Sequence, residues 1–217
     1  MLKRLTGRGR MLMAILIFVA TASYAIVTNG LLKGGINLRY SISQYVGLAT
    51  GSSVLFALGN FVVVGCMASW LYEVGRSLMM PKLFYGIVVL TSVMLIGLSV
   101  CPYGYFDTIL GMNHVPTTIH QICSRTMFIC MLVLVIWLVI HRGITGWARF
   151  WCALYAIFAA VCVVGFIGQH EWMLSALLLF EASYLLWFML LITNIRHKDL
   201  TNKFVRSKNE RISKKGC

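Results

Sequence analysis

His120 and Ser124 stand four residues apart in Ile119-His120-Gln121-Ile122-Cys123-Ser124-Arg125. On a helix that spacing sets both side chains on one face, with Arg125 beside them. An imidazole next to a hydroxyl can do acid–base work, and with further ligands it can hold zinc. His170-Glu171 adds a second imidazole and a carboxylate, and Asp107 adds another acid. Asn60 and Glu181 differ from these because each lies inside an apolar run. A carboxylate at membrane depth costs about 2.5 kcal/mol or more and turns toward a bundle interior. Glu181 then has a functional reading and a structural one. It couples to an ion, a proton or a substrate, or it makes an interhelical hydrogen bond, for example with Asn60.

None of these residues forms a diagnostic motif. The chain has no HExxH, no His pair at i, i+4 and no CxxC, so metal chemistry has no sequence signature here. A plainer reading stands beside the functional one: residues at a membrane interface are polar because water is there.

What must position these residues is a membrane bundle. The 217 residues are 59% hydrophobic and only 12% charged, with mean hydropathy +0.83. A soluble domain carries about 25% charged residues. Apolar runs near 20 residues long, without two-residue alternation, must be helices rather than barrel strands. The expected fold is all-α: a six-transmembrane-helix bundle over residues 1–195, with a basic tail over 196–217. The spans are read at about 11–29, 48–72, 83–101, 118–141, 149–168 and 172–194. The first is read as a retained helix, although Ala20-Thr21-Ala22 after four basic residues also fits a signal-peptide cleavage site. Gly47, Gly51, Gly59 and Gly65 with Ser52 and Ser53 read as a small-residue packing face.

Charge sets the orientation. Sixteen of the nineteen Lys and Arg residues fall in the two tails and in the loops after the second and fourth spans; Lys33, Arg39 and Arg125 are the rest. Both termini are therefore predicted to be cytoplasmic. The net charge of +13 is read as this topogenic signal and not as nucleic-acid binding. The partner is the lipid bilayer, and a bacterial plasma membrane is the default location.

With that topology the polar residues gather at the outer ends. The apolar run from Thr126 to Ile140 rises only about 22 Å, too short to cross a core of about 30 Å. The fourth helix must extend outward to about Thr118, with Pro116 in its first turn. His120 and Ser124 then sit at the outer boundary, and His114 is left in the loop. The connection Gly168 to Glu171 makes the last two helices a hairpin. If that hairpin packs on the fourth helix, His120, His170 and Glu171 converge. Cys101 and Cys123 both fall at outer helix ends, so a disulfide across the third loop is open to them in an oxidising compartment, with sequence giving no geometry for it.

The segments Asn37, Ser41-Ile42-Ser43-Gln44-Tyr45-Val46-Gly47, Asn60, Gly97, Cys101-Pro102 and Ile119-His120 carry a resemblance. Across about residues 10–195 the chain resembles the bacterial membrane proteins of domain-of-unknown-function family 998. It departs from them at Gln44 and Cys101, where the family tends to have an acid and an aromatic residue. The resemblance implies a six-helix integral membrane protein and brings no reaction. A fainter likeness to alkaline-ceramidase-type membrane hydrolases lacks their paired C-terminal histidines.

Three functions fit the sequence. One is an outward-facing polar pocket handling a small molecule, ion or lipid, with His120, Ser124, Arg125, His170, Glu171 and Asp107 at its mouth and Glu181 and Asn60 deeper. A second is a metal-dependent hydrolase on the outer histidines, His120 and His170. The third is a non-catalytic membrane subunit. For cofactors, the readings are none, zinc, or two haems stacked across the membrane, with His120 and His141 at the two ends of one helix and His170 and His197 as their partners on the outer and inner sides.

Overall fold

The structure, a computed structural model, describes residues 7–102, 115–141, 144 and 146–195. Its elements are α1 (Gly7–Leu32), α2 (Ile42–Val46), α3 (Thr50–Ser77), α4 (Lys82–Val100), α5 (Val115–Ile140), α6 (Gly146–Ile167), α7 (Glu171–Leu174) and α8 (Leu177–Asn194). No strand occurs among the described residues. All but α2 and α7 have the length and apolar composition to cross a membrane. Between 28% and 50% of each apolar window is buried inside the protein, so half or more of every spanning helix is turned outward. That is the distribution a lipid-facing bundle requires, because hydrocarbon solvates an apolar side chain as well as a core does.

The spanning helices form a closed ring in chain order. α1 packs on α3, α3 on α4, α4 on α5, α5 on α6, α6 on α8, and α8 returns to α1. Small residues set two of the closest approaches. A Cβ on Gly59 would meet Thr21 Cγ2 at 2.8 Å, and one on Gly97 would meet Cys123 Sγ at 2.7 Å. Gly51 and Gly65, expected on the packing face of α3, have no neighbour within 4 Å of a built Cβ.

Polar side chains tie the ring through backbone carbonyls, which keep a second lone pair after the helix bond is made. Tyr155 Oη donates to Tyr184 O at 3.0 Å, and Tyr184 Oη donates to Phe128 O at 2.5 Å. These two bonds join α6, α8 and α5. Trp70 Nε1 donates to Ile192 O at 2.7 Å, linking α3 to α8 at the end that carries Gly7 and Ile195, the inner end in the orientation expected from charge. There Arg10 also pairs with Glu73 and donates to Ser69 Oγ at 3.1 Å.

The outer end is closed by the connection between α1 and α3. After α1 the chain reverses at Gly34 and Gly35, with φ of 80° and 145°, values open to glycine and costly for most side chains. It then turns inward as α2. Ser41 and Gln44 form a reciprocal capping box at the start of α2, with Ser41 Oγ accepting from Gln44 N and Gln44 Oε1 accepting from Ser41 N. Ile42, Tyr45 and Val46 are buried, so this short helix is a plug and not a surface loop.

Several boundaries differ from the sequence reading: α1 starts at Gly7 and not at about 11, and α3 runs on to Ser77 and not to about 72. The fourth span already starts at Val115, one turn further out than Thr118. The sixth does not run from 172: Glu171–Leu174 is a separate turn, and the spanning helix begins at Leu177. Trp172, Met173 and Leu174 are apolar enough to extend the hydropathy run, yet they cap the hairpin. Asp107, His114 and the basic tail lie outside the described residues.

Orientation is open to a direct check. In a variant with Cys101 and Cys217 replaced by Ser, Lys33→Cys is expected to react with a membrane-impermeant maleimide in intact cells. Lys82→Cys is expected to react only after permeabilisation. The reverse pattern would overturn the charge-based orientation.

Candidate functional site: a polar chamber beneath the plug

Five polar side chains from four elements meet in one small cavity. Its wall includes Ser43 from α2, Asn60 from α3, His120 and Ser124 from α5, and Glu181 from α8. Phe18, Phe56, Leu95 and Met127 supply apolar surface around them. Counted at 1.5 Å per residue from the inner helix ends, Asn60 lies about 26 Å up, Ser124 about 24 Å and Glu181 about 20 Å. The chamber therefore occupies the outer third of a hydrocarbon core of about 30 Å.

This corrects the depth of Glu181. Expected near the middle of a long span, it lies in the second turn of α8, because that helix begins only at Leu177. It also corrects its partner. Asn60 does not meet Glu181 through a hydrogen bond; its Nδ2 donates to Ser99 Oγ at 2.9 Å. Glu181 Oε2 instead accepts the backbone N–H of Ile42 at 2.8 Å. Ile42 opens α2, so its N–H has no partner within that helix, and the carboxylate supplies one.

The plug is fastened on its other side as well. Asn29 Nδ2 donates to Tyr45 O at 2.7 Å and to Ser52 Oγ at 2.9 Å. Ser52 and Ser53 hydroxyls donate to Val46 O at 3.0 and 2.8 Å. Leu178 N donates to Leu38 O at 3.1 Å, which gives the first turn of α8 a partner from the same connection. Two of the small residues read from sequence as packing, Ser52 and Ser53, thus serve as carbonyl partners for α2.

His120 is fixed from the α4 end. Its Nδ1 lies 2.6 Å from Cys101 O. A carbonyl only accepts, so Nδ1 carries the hydrogen and donates it. His120 and Ser124 are each 5% exposed, one turn apart on the inward face of α5, as their spacing implied. Cys101 and Cys123 are free thiols in this structure. Burial pushes the Cys101 thiol up from its ordinary range, which keeps it protonated and poorly nucleophilic.

The other expected site residues are elsewhere. His170 and Glu171 are exposed at the hairpin tip, where the His170 ring stacks on Trp172 at 6.2 Å. Neither lines the chamber, so the convergence expected of His120, His170 and Glu171 does not occur. Arg125 is half-buried and outside the wall. Among the described residues no three His, Cys, Asp or Glu side chains come together as a metal site. A roomier groove of about 210 Å³ lies at the inner end, lined by Trp151, Trp187, Leu190 and neighbours. It is apolar and remote from the chamber.

Sequence reasoning missed Ser43 and the backbone of Ile42. A signal for them was present: Ser41-Ile42-Ser43-Gln44 has the spacing of a capping box, which marks a helix start where the hydropathy pattern shows only a loop. No family model, curated protein or solved structure matches the chain.

One atom of the site is unsatisfied. Asn60 is 2% exposed and its Oδ1 has no hydrogen-bond partner. An unmet buried acceptor costs about 1–3 kcal/mol. Asn60→Leu keeps the volume and removes that acceptor, while Ser99 Oγ still has Leu95 O to donate to at 2.7 Å. The expected result is a more stable protein, by about 1 kcal/mol, or about 2–4 °C in Tm for a chain of this size. Lower stability on detergent-solubilised thermal unfolding would mean that the carbonyl has a partner after all.

Proposed function

We propose that this polytopic membrane protein is a small carrier or channel whose working site is the chamber under α2, opening toward the outer side of a bacterial plasma membrane. The observation that carries the reading is the meeting of a carboxylate, an imidazole, an amide and two hydroxyls on one cavity. They come from distant parts of the sequence and sit at a depth where polar groups are costly. A structural role would need each group matched to another. Here an acceptor on Asn60 is left over, as expected of a site that awaits a ligand.

The plug supplies the gate for such a site. It is a five-residue helix, small enough to move as a unit, and its displacement exposes the chamber. Metal-dependent hydrolysis is supported less well, because the outer histidines are divided between the chamber and the hairpin tip. The likeness to domain-of-unknown-function family 998 is proposed alongside this function. It includes the plug segment, Asn60 and His120, which are the elements the chamber is made from.

Reconstitution in liposomes tests the function. Wild-type protein is expected to raise flux of at least one probe among protons (read by an internal pH dye), rubidium and glycerol. Ser124→Phe fills the chamber and is expected to lower that flux at least about tenfold, the loss set by about 1.4 kcal/mol of added barrier. His170→Ala, at the exposed tip, is expected to leave it unchanged. Flux equal to empty liposomes, or flux untouched by a folded Ser124→Phe protein, would sink the proposal.

A further inference from the structure

We infer that the chamber is a site for one small monovalent cation, a proton or an alkali ion, with the Glu181 carboxylate as its charged ligand. The inference deepens the carrier reading and rests on it only for the direction of transport; the site itself is argued from size and charge.

Size comes first. The chamber measures about 50 Å³. A single water needs at least about 10–15 Å³ on this kind of measure, so the space holds only a few water-sized bodies. A sugar, an amino acid or a lipid head group is too large for it, and a proton on water or a partly dehydrated alkali ion is not.

Charge comes second. Glu181 is 9% exposed and, among the described residues, is the one carboxylate on the wall, with no Lys or Arg beside it in the lining. Its recorded protein partner is the N–H of Ile42, which is a dipole and not a counter-charge. The one ion pair among the described residues, Arg10 with Glu73, is at the opposite end of the bundle. An ionised carboxylate without a cation at this depth is unfavourable by several kcal/mol. A bound proton or metal cation removes that penalty.

Ligand chemistry is the third point. The chamber's remaining polar atoms favour a positive guest. Asn60 Oδ1 is a buried acceptor without a donor, and the Ser43 and Ser124 hydroxyls can each turn a lone pair inward. Ser124 Oγ donates to Gln121 O at 3.0 Å, which leaves its oxygen as an acceptor. His120 spends its Nδ1 hydrogen on Cys101 O. Oxygen acceptors of this kind are what hard monovalent cations take, whereas an anion would meet a wall short of donors. His120 is the other ionisable side chain on the wall. Its Nδ1 is held by the Cys101 carbonyl, the Cys101 and Cys123 thiols stand near each other at the same end of α4 and α5, and Arg125 follows Ser124 in α5.

Thermal unfolding of the purified full chain in nanodiscs separates the two cations. In the first arm, sodium, potassium or lithium chloride is titrated at pH about 8, with N-methylglucamine chloride holding ionic strength constant. An alkali site gives a rise that sets in near the dissociation constant and then continues at about 3–5 °C per tenfold in cation. In the second arm, without alkali ions, a proton site gives a comparable rise as pH falls. Either response is expected to vanish in Glu181→Gln and to persist in His170→Ala. Wild type and Glu181→Gln moving together in both arms would overturn the inference. Should Glu181→Gln fail to fold, radioactive sodium binding and the infrared carboxylic-acid C=O band of wild type replace it. No bound sodium and no titrating band would be equally fatal. Cation-dependent stability without liposome flux leaves the site standing and removes the carrier function. Flux that Ser124→Phe blocks but Glu181→Gln does not alter, in either cation arm, removes the cation and keeps the carrier.

Discussion

The hydrogen bond from Ile42 N to the Glu181 carboxylate joins two groups that each lack a partner where they stand. A five-residue helix cannot satisfy the N–H groups of its own first turn, and a spanning helix cannot satisfy a carboxylate in hydrocarbon. Bringing them together satisfies both, and it draws the connection between α1 and α3 inward over the bundle. Asn29, Ser52 and Ser53 then meet the carbonyls at the far end of α2. What lies beneath the plug is a chamber with Ile42 and Ser43 in its wall because the plug has been placed there.

The same constraint explains how the ring is held. Between apolar helices in lipid there is little hydrophobic drive to associate, so close packing and polar bonds do the work. Thr21 against Gly59 and Cys123 against Gly97 supply the first. Tyr155, Tyr184 and Trp70 supply the second, the two tyrosines reaching carbonyls within a helix and Trp70 reaching Ile192 O in the last turn of α8, which has no partner in its own helix. Such bonds carry no sequence periodicity. A buried tyrosine in a spanning segment reads as one more aromatic residue until the neighbouring helix is in place.

Much of the fold was legible in the sequence because one strong signal, apolar run length, governs it. The outward extension of the fourth helix followed from arithmetic on Thr126 to Ile140, and it set His120 and Ser124 on the face that the structure buries. The site was legible residue by residue but not as a set. Ser43 lies in a short polar segment without periodicity. Glu181 was displaced by a hydropathy run that Trp172, Met173 and Leu174 carried past the true helix start. His170 and Glu171 were attractive as chemistry, yet nothing along the chain records which way a hairpin tip points.

The helices around the chamber are unequal in length. α3 has 28 residues, while α4 and α8 have 19 and 18, which makes α3 longer by about 14–15 Å. The outer rim is therefore stepped, and it is low where Ser99 and Glu181 stand. Bilayers meet a short hydrophobic edge by thinning beside it, so the insulating layer above the chamber is shallow. A charge arriving there from outside has crossed only about a third of the membrane voltage drop, worth about 0.8 kcal/mol per 100 mV for a unit charge. The remaining two thirds fall between the chamber and the far end of the bundle, across its aromatic and methionine-rich lower half. The rim thus makes the protein an asymmetric divider of the electric field, with its polar groups on the side of easy access.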